Sequence, residues 1–292
     1  MFLGGERVQS RIKPMVVCIS GLDPTGGAGI QADIETLAAM DCFALPIISS
    51  LTVQTTSNVL ETHPVDPHVL RRQFDALIES GLEISAIKLG LIDSAQTLLG
   101  IAEILKQHSQ IPVIADPVLK AGGGYEFVNQ QMIDDYIQHI LPRCLVLTPN
   151  IQELKRLRPL ASTEDAALDE LCRLGCKYVL LTGTHRHSED VSNRLFSSNN
   201  PKLDKSWSWP RLAYEYHGSG CTLASALVAG VAQGLDVESA AFKAQQFTWD
   251  ALNRAIPRRL GQSLPDRRHS QAISQPPQAS PLLEYSLEKS GS

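Results

Sequence analysis

Four stretches of this chain place chemically capable residues at what should be loops. The most informative is His217-Gly218-Ser219-Gly220-Cys221-Thr222-Leu223-Ala224-Ser225-Ala226, where glycines lead into a run of small apolar residues. Free backbone N–H groups at a helix start form an anion hole. Cys221 falls in the first turn of that helix. The helix dipole is expected to pull its pKa below the free value of about 8.5, so that it can take a proton from a substrate hydroxyl. The bland alternative is a buried helix start with a packing cysteine.

The second stretch, Gly21-Leu22-Asp23-Pro24-Thr25-Gly26-Gly27-Ala28-Gly29, has four glycines in nine residues and lacks the Lys-Ser/Thr ending of a Walker loop. Such a loop lets backbone approach a ligand closely, or is simply a tight turn. Asp33 lies one turn into the following helix beside Ile30 and Leu37, at the edge of its buried face. An acid there needs a partner, which a ligand could supply. The third stretch is Thr148-Pro149-Asn150-Ile151-Gln152-Glu153. Asn150 and Glu153 are either hard oxygen ligands for Mg²⁺ or a capping box at a helix start. The fourth, Thr182-Gly183-Thr184-His185, offers small residues that suit a phosphate site, with His185 and His187 as exposed loop histidines.

The elements that must position these loops alternate. Strands are expected over Met15–Ser20, Ala44–Val53, Ala86–Ile92, Pro112–Asp116, Cys144–Thr148 and Tyr178–Thr182. Helices are expected over Gly29–Met40, His68–Ser80, Ser94–Gln107, Gln130–Leu141 and Asp165–Leu174, with another starting at Gln152–Leu157. Near-continuous apolar strands between helices predict a parallel sheet covered on both faces. The Ser- and Trp-rich segment Asn193–Tyr214 predicts an antiparallel hairpin at a sheet edge. One domain over 14–256 follows, with an N-terminal extension 1–13 and a polar tail 257–292, mobile over Ser270–Ser292.

Composition narrows the function classes. The 292 residues carry a net charge of -5, with 43% hydrophobic and 20% charged residues. No dense basic run suits nucleic acid, and no apolar run is long enough for a membrane helix. Six scattered cysteines, Cys172 and Cys176 among them, predict reduced thiols packed in a cytoplasmic protein rather than a disulfide or zinc framework.

Together and in this order, the motifs resemble the ribokinase-like superfamily. Asp23 to Asp33, and a Cys within Gly218-Ser219-Gly220-Cys221-Thr222-Leu223, are similar to the hydroxymethylpyrimidine/phosphomethylpyrimidine kinases of thiamine biosynthesis over roughly residues 15 to 256. The resemblance implies a three-layer α/β/α ribokinase-like fold, mostly parallel with a small antiparallel edge hairpin, and a homodimer. It implies transfer of the ATP γ-phosphate, with Mg²⁺, to 4-amino-5-hydroxymethyl-2-methylpyrimidine, and then to its monophosphate. Gly21, Asp33 and Gln54 would hold the aminopyrimidine between walls from Leu91 and Val118. Asn150 and Glu153 would organise Mg²⁺, directly or through water. Asp116, Thr182, Gly183 and Lys120 would lie near the phosphates. Gly218, Ser219 and Gly220 would form the anion hole, with Cys221 near the reacting hydroxyl.

The chain departs from the family at Thr182, Gly122 and Gln245, where members often carry Lys. Lys120 is the better-placed substitute and Lys243 the poorer. The rivals are a pyridoxal kinase of the same superfamily and a non-catalytic ligand-binding relative. Asn150, Glu153 and the anion-hole glycines argue against the second.

Overall fold

The computed structural model describes residues 13–184, 188–198, 204–258 and 261–268. These form a nine-stranded sheet in the order β3-β2-β1-β4-β5-β6-β7-β8-β9. Its parallel centre comprises β1 (Met15–Leu22), β2 (Phe43–Gln54), β4 (Ile84–Leu89), β5 (Val113–Ala115), β6 (Val146–Leu147) and β7 (Tyr178–Leu181). Alternation along each strand sends residues to two cores. Val17 and Ile19 join Ile87 and Leu89 beneath α2 (Pro67–Glu79), α3 (Ala95–Gln107), α4 (Gln130–Asp135), α5 (Ile151–Leu157) and α6 (Glu164–Arg173). Val16, Cys18 and Ala86 face α1 (Gly29–Ala39), α7 (Ser219–Ala232) and α8 (Val237–Asn253). The result is the expected three-layer α/β/α arrangement.

Both edges are antiparallel. The expected hairpin is present as β8 (Asp190–Phe196) and β9 (Lys205–Pro210). The opposite edge carries one that the sequence reading lacked, because β3 (Val59–Pro64) is short, polar and ends in proline. Helix α4 runs only to Asp135 before a π-helical turn at Tyr136–Ile140 and a tight turn at Leu141–Arg143, just where Pro142 removes a backbone donor.

The chain does not leave the domain at 257. Ile256 and Leu264 form an antiparallel bridge, and Ser263, Pro265 and Arg267 are buried. The polar composition there masks a segment held by backbone pairing. Residues 1–12 of the extension, His185 and His187, and Ser270–Ser292 lie outside the described residues; Lys13 pairs with Asp41. All six cysteines are free thiols. Among the described residues no helix is long and apolar enough to cross a membrane.

Candidate active site

The parallel strands end along one edge of the sheet, and the four predicted loops follow those ends or face them from α7. Gly218 caps α7 with φ +75°, a left-handed conformation open to glycine. A Cβ there would lie 2.0 Å from the Gly27 carbonyl oxygen. The anion-hole loop and the Gly-rich loop are thus in direct backbone contact. A Cβ on Gly220 would sit 3.7 Å from Asp116 Oδ2, so this carboxylate faces the first turn of α7. Thr148 Oγ1 approaches the other Asp116 oxygen at 3.5 Å. The structure therefore brings Gly218, Ser219, Gly220, Cys221 and Asp116 together.

Cys221 does not have the lowered pKa expected of it. Burial pushes its thiol up to about 12; Lys88 opposes this, and the carboxylates of Asp116 and Asp33 add to it. The helix dipole does not overcome burial beside two acids. Cys221 is partly exposed, and its thiol lies beside Asp116, whose carboxyl it helps to lower against burial. Burial likewise raises the Asp116 carboxyl, with Lys88 pulling the other way.

Asp33 is also corrected. It is fully buried, and its partners come from the protein rather than from a ligand. Lys88 Nζ lies 2.9 Å from its Oδ1, Ser225 Oγ donates to Oδ1 at 2.7 Å, and Ser20 Oγ donates to Oδ2 at 2.6 Å. Burial works against the Lys88 cation, but the Asp33 charge outweighs it and holds the ammonium above its ordinary pKa. The sequence contained a signal for Lys88, a lone charge in the apolar strand Ala86–Ile92, which demands a buried partner. Ser225→Ala removes one donor to a buried carboxylate. We expect about 2 kcal/mol lower unfolding free energy in urea; a change under about 0.5 kcal/mol would show that Ser225 does not support Asp33.

Gln54 ends β2 and meets a residue that sequence reasoning did not place in the site. His217 Nε2 lies 3.3 Å from Gln54 Nε2 and 2.7 Å from Asp23 Oδ2. A ring nitrogen that donates to Asp23 cannot also accept from Gln54, so the Gln54 amide keeps its donors and its carbonyl for a ligand. Burial alone would raise the Asp23 carboxyl, but hydrogen bonds from His217 and Thr25 outweigh it and hold its pKa at about 2. Thr25 N and Ala28 N also donate to Asp23, which ties the Gly-rich loop around this acid. Leu91 packs against Gly21, and Val118 follows Asp116 by two residues.

The Asn150 motif is a complete capping box. Asn150 Oδ1 accepts from Gln152 N at 2.8 Å and Glu153 N at 3.0 Å, and Asn150 N donates to Glu153 Oε2 at 2.8 Å. The Asn150 side-chain carbonyl accepts from two backbone donors, so Asn150 is the cap of α5. Glu153 stays relevant. Burial, then the charge of Asp116, pushes its carboxyl up to about 8 against the Asn150 N–H. A buried and a partly buried hard-oxygen carboxylate that repel each other fit a divalent cation such as Mg²⁺.

The predicted phosphate groups fare unevenly. Thr182 pairs with Asn150 in a parallel bridge, and Gly183 N donates to Asn193 Oδ1 at 3.0 Å. The amide of Gln245 is buried, accepting from Asn193 Nδ2 and Trp209 Nε1 at 3.0 Å each. A neutral network thus occupies the Gln245 position, where family members often carry a lysine. Lys120 is half-exposed and pairs with Glu126 at 3.1 Å, which Arg156 also holds. Its ammonium shares Glu126 with Arg156 on the surface. Gly122 lies against Gln262 of the C-terminal segment.

The model of the phosphomethylpyrimidine kinase family matches residues 23–264, a span that contains this constellation except Ser20 and Gly21. The chain belongs to that family. Among its relatives is the thiamine biosynthesis bifunctional protein ThiED of Geobacter sulfurreducens, 32% identical over 83% of this chain; the chain spans 50% of that longer protein. The hydroxymethylpyrimidine/phosphomethylpyrimidine kinase of Bacillus subtilis is 31% identical, over 82% of this chain and 89% of its own length. The crystal structure of phosphomethylpyrimidine kinase from Clostridium difficile 630 superposes with a TM-score of 0.69 and 27% identity, covering 81% of this chain and 98% of its own. The pyridoxal kinase from Staphylococcus aureus in complex with AMP-PCP reaches a TM-score of 0.77 at 22% identity, over 88% and 94% of the two chains, which shows the shared fold. As a member of this kinase family the chain is a phosphotransferase that uses ATP.

Proposed function

We propose that the chain phosphorylates 4-amino-5-hydroxymethyl-2-methylpyrimidine, and then its monophosphate, in thiamine biosynthesis. One observation carries the reading: the anion hole of α7, the Cys221 thiol and the Asp116 carboxylate meet where the Gly-rich loop and Gln54 converge. Gln54 presents an amide that can pair with a ring nitrogen and its amino group. Leu91 and Val118 supply the apolar walls. Asp33 acts from below by holding Lys88 rather than by touching the ring.

Phosphoryl transfer asks the protein mainly for positioning and charge stabilisation. The backbone N–H groups of Ser219, Gly220 and Cys221 would receive the transferring phosphoryl group. The substrate hydroxyl gives its proton to Cys221 Sγ as the thiol passes its own to Asp116. The hydroxyl oxygen then bonds to the γ-phosphorus, and the bond to the ADP leaving oxygen breaks. Glu153 and Asp116 would hold Mg²⁺, which supplies countercharge for the phosphates. Glu153→Gln keeps an oxygen for the capping box and loses the charge. It should raise the Mg²⁺ required for half-maximal activity by about tenfold and weaken Mg²⁺ binding in calorimetry by a similar factor. An unchanged titration would leave Glu153 as a cap alone.

The test of function is a Mg-ATP panel with hydroxymethylpyrimidine, its monophosphate, pyridoxal and ribose. We expect the highest kcat/KM on the pyrimidine and turnover of its monophosphate. Higher kcat/KM on pyridoxal would move the substrate and not the fold. A homodimer is part of the same reading, supported by the exposed apolar side chains Leu51, Val53 and Leu60 on the β2–β3 edge. Six unpaired thiols fit a reducing, cytoplasmic setting.

A further inference from the structure

We infer that Arg267 is a positioning residue for the phosphoryl site, acting through the Gly218 carbonyl. This rests on the kinase reading above. Arg267 lies beyond the family-matched span and in a segment whose composition resembles a tail. Its side chain is nonetheless 1% exposed, the largest fully buried side chain among the described residues.

Each face of its guanidinium has a partner. Nε donates to Thr222 Oγ1 at 2.8 Å, Nη2 donates to the Gly27 carbonyl, and Nη1 reaches Glu35 Oε2 at 3.3 Å. Thr222 lies in the first turn of α7 and Gly27 in the Gly-rich loop, the two elements that build the site. Because Nε can only donate, Thr222 Oγ1 must accept from it, and its own hydroxyl proton is turned away. That proton goes to the Gly218 carbonyl at 2.8 Å. Arg267 therefore selects the rotamer in which Thr222 pins this carbonyl, and Thr222 N adds a second bond at 3.0 Å.

The consequence follows from peptide planarity. The Gly218 C=O and the Ser219 N–H belong to one trans peptide unit and point in opposite directions. Fixing the carbonyl on the Arg267 side fixes the N–H on the other, at the start of the anion hole. The guanidinium also lies 2.8 Å from where a Cβ of Gly218 would be, so it backs directly onto that peptide.

The segment that delivers Arg267 is anchored on several sides. His217 N donates to Ser263 O at 3.0 Å and Ser263 N to Glu215 O at 2.9 Å. Asp266 N donates to Ala251 O at 3.0 Å, and Gln262 N to Thr56 O at 3.3 Å beyond the end of β2. It thus ties the Gln54 turn, the His217 loop and the end of α8 into one frame around the site.

The test compares the full-length parent with Arg267→Ala, Arg267→Lys and Thr222→Val. Each is assayed for kcat, KM for ATP and thermal midpoint, and Arg267→Ala also with added ethylguanidinium. Arg267→Ala should lose between about 10- and 100-fold in kcat, because small misplacement of a stabilising donor costs that much. Its KM for ATP should stay within about threefold. Arg267→Lys, which can fill only one of the three contacts, should not recover the parent rate. Ethylguanidinium should restore part of kcat in Arg267→Ala and nothing in Thr222→Val. Thr222→Val, which keeps the side-chain shape and takes the acceptor from Arg267 Nε, should show the same kcat loss per folded molecule and decides the matter should Arg267→Ala fold poorly. The inference is overturned if kcat per folded molecule stays within about threefold of the parent in these variants. It is equally overturned if ethylguanidinium raises the midpoint without raising kcat. A parent that prefers pyridoxal would defeat the substrate reading alone, since the same ratios measured on pyridoxal still decide Arg267.

Discussion

Asp116→Asn is expected to lower kcat by about 10³-fold or more while leaving the protein as stable as the parent, or more so. The substitution keeps size and shape and removes one negative charge. That charge sits in a group of three acids, the buried Asp33 and Asp116 and the partly buried Glu153, answered by Lys88 and, at Glu153, by Arg156. Burial and like charge already raise the carboxyls of Asp116 and Glu153. Removing one of them relieves repulsion in the resting chain. The same charge is what accepts the relayed proton and what a divalent cation would answer, and such roles are worth about 10² to 10⁴ in rate. Loss of turnover without loss of thermal midpoint is the pattern of a site strained for function. Steady-state kinetics with a parallel unfolding curve checks it. A variant that keeps kcat within about tenfold would remove Asp116 from the chemistry.

Cys221→Ala should lower kcat by about 10²-fold with a smaller effect on ATP binding. The informative partner is Cys221→Ser. A thiol pushed to about pKa 12 acts as a neutral donor and relay, and a hydroxyl can do the same. Ser should therefore keep turnover within about tenfold of the parent. If Cys221 worked as a preformed thiolate, Ser would be as poor as Ala, and iodoacetamide would modify Cys221 rapidly at neutral pH. Although Cys221 is partly exposed, slow modification is expected, because its surroundings and the two carboxylates hold the proton on sulfur.

These expectations differ from the sequence reading at one physical point. A helix N-terminus was enough to propose a lowered thiol pKa, because the dipole of α7 is legible in Gly218-Ser219-Gly220 and the apolar run after it. The charges of Asp33 and Asp116 come from α1 and the end of β5, far away in sequence. Their effect on sulfur depends on distances that local pattern does not contain. Asp33 shows the same limit. Its position on a buried helix face was readable, and so was its need for a partner. That the partner is Lys88, on a strand two places along the sheet order from β2, was settled by the pairing of β1 with β4.

The amino-acid sequence by itself determined the layered α/β architecture, the loops that carry the site, the glycines of the anion hole and the kinase family. These rest on period, turn residues and motif order, which are local properties of the chain. The tertiary structure decided which acids face one another, that Asn150 caps α5, that Lys120 pairs with Glu126, and that Arg267 belongs to the core. Each of these is a contest between partners distant in sequence for one buried polar atom. Burial makes an unpaired group so costly that the packed fold, rather than the local motif, selects the partner.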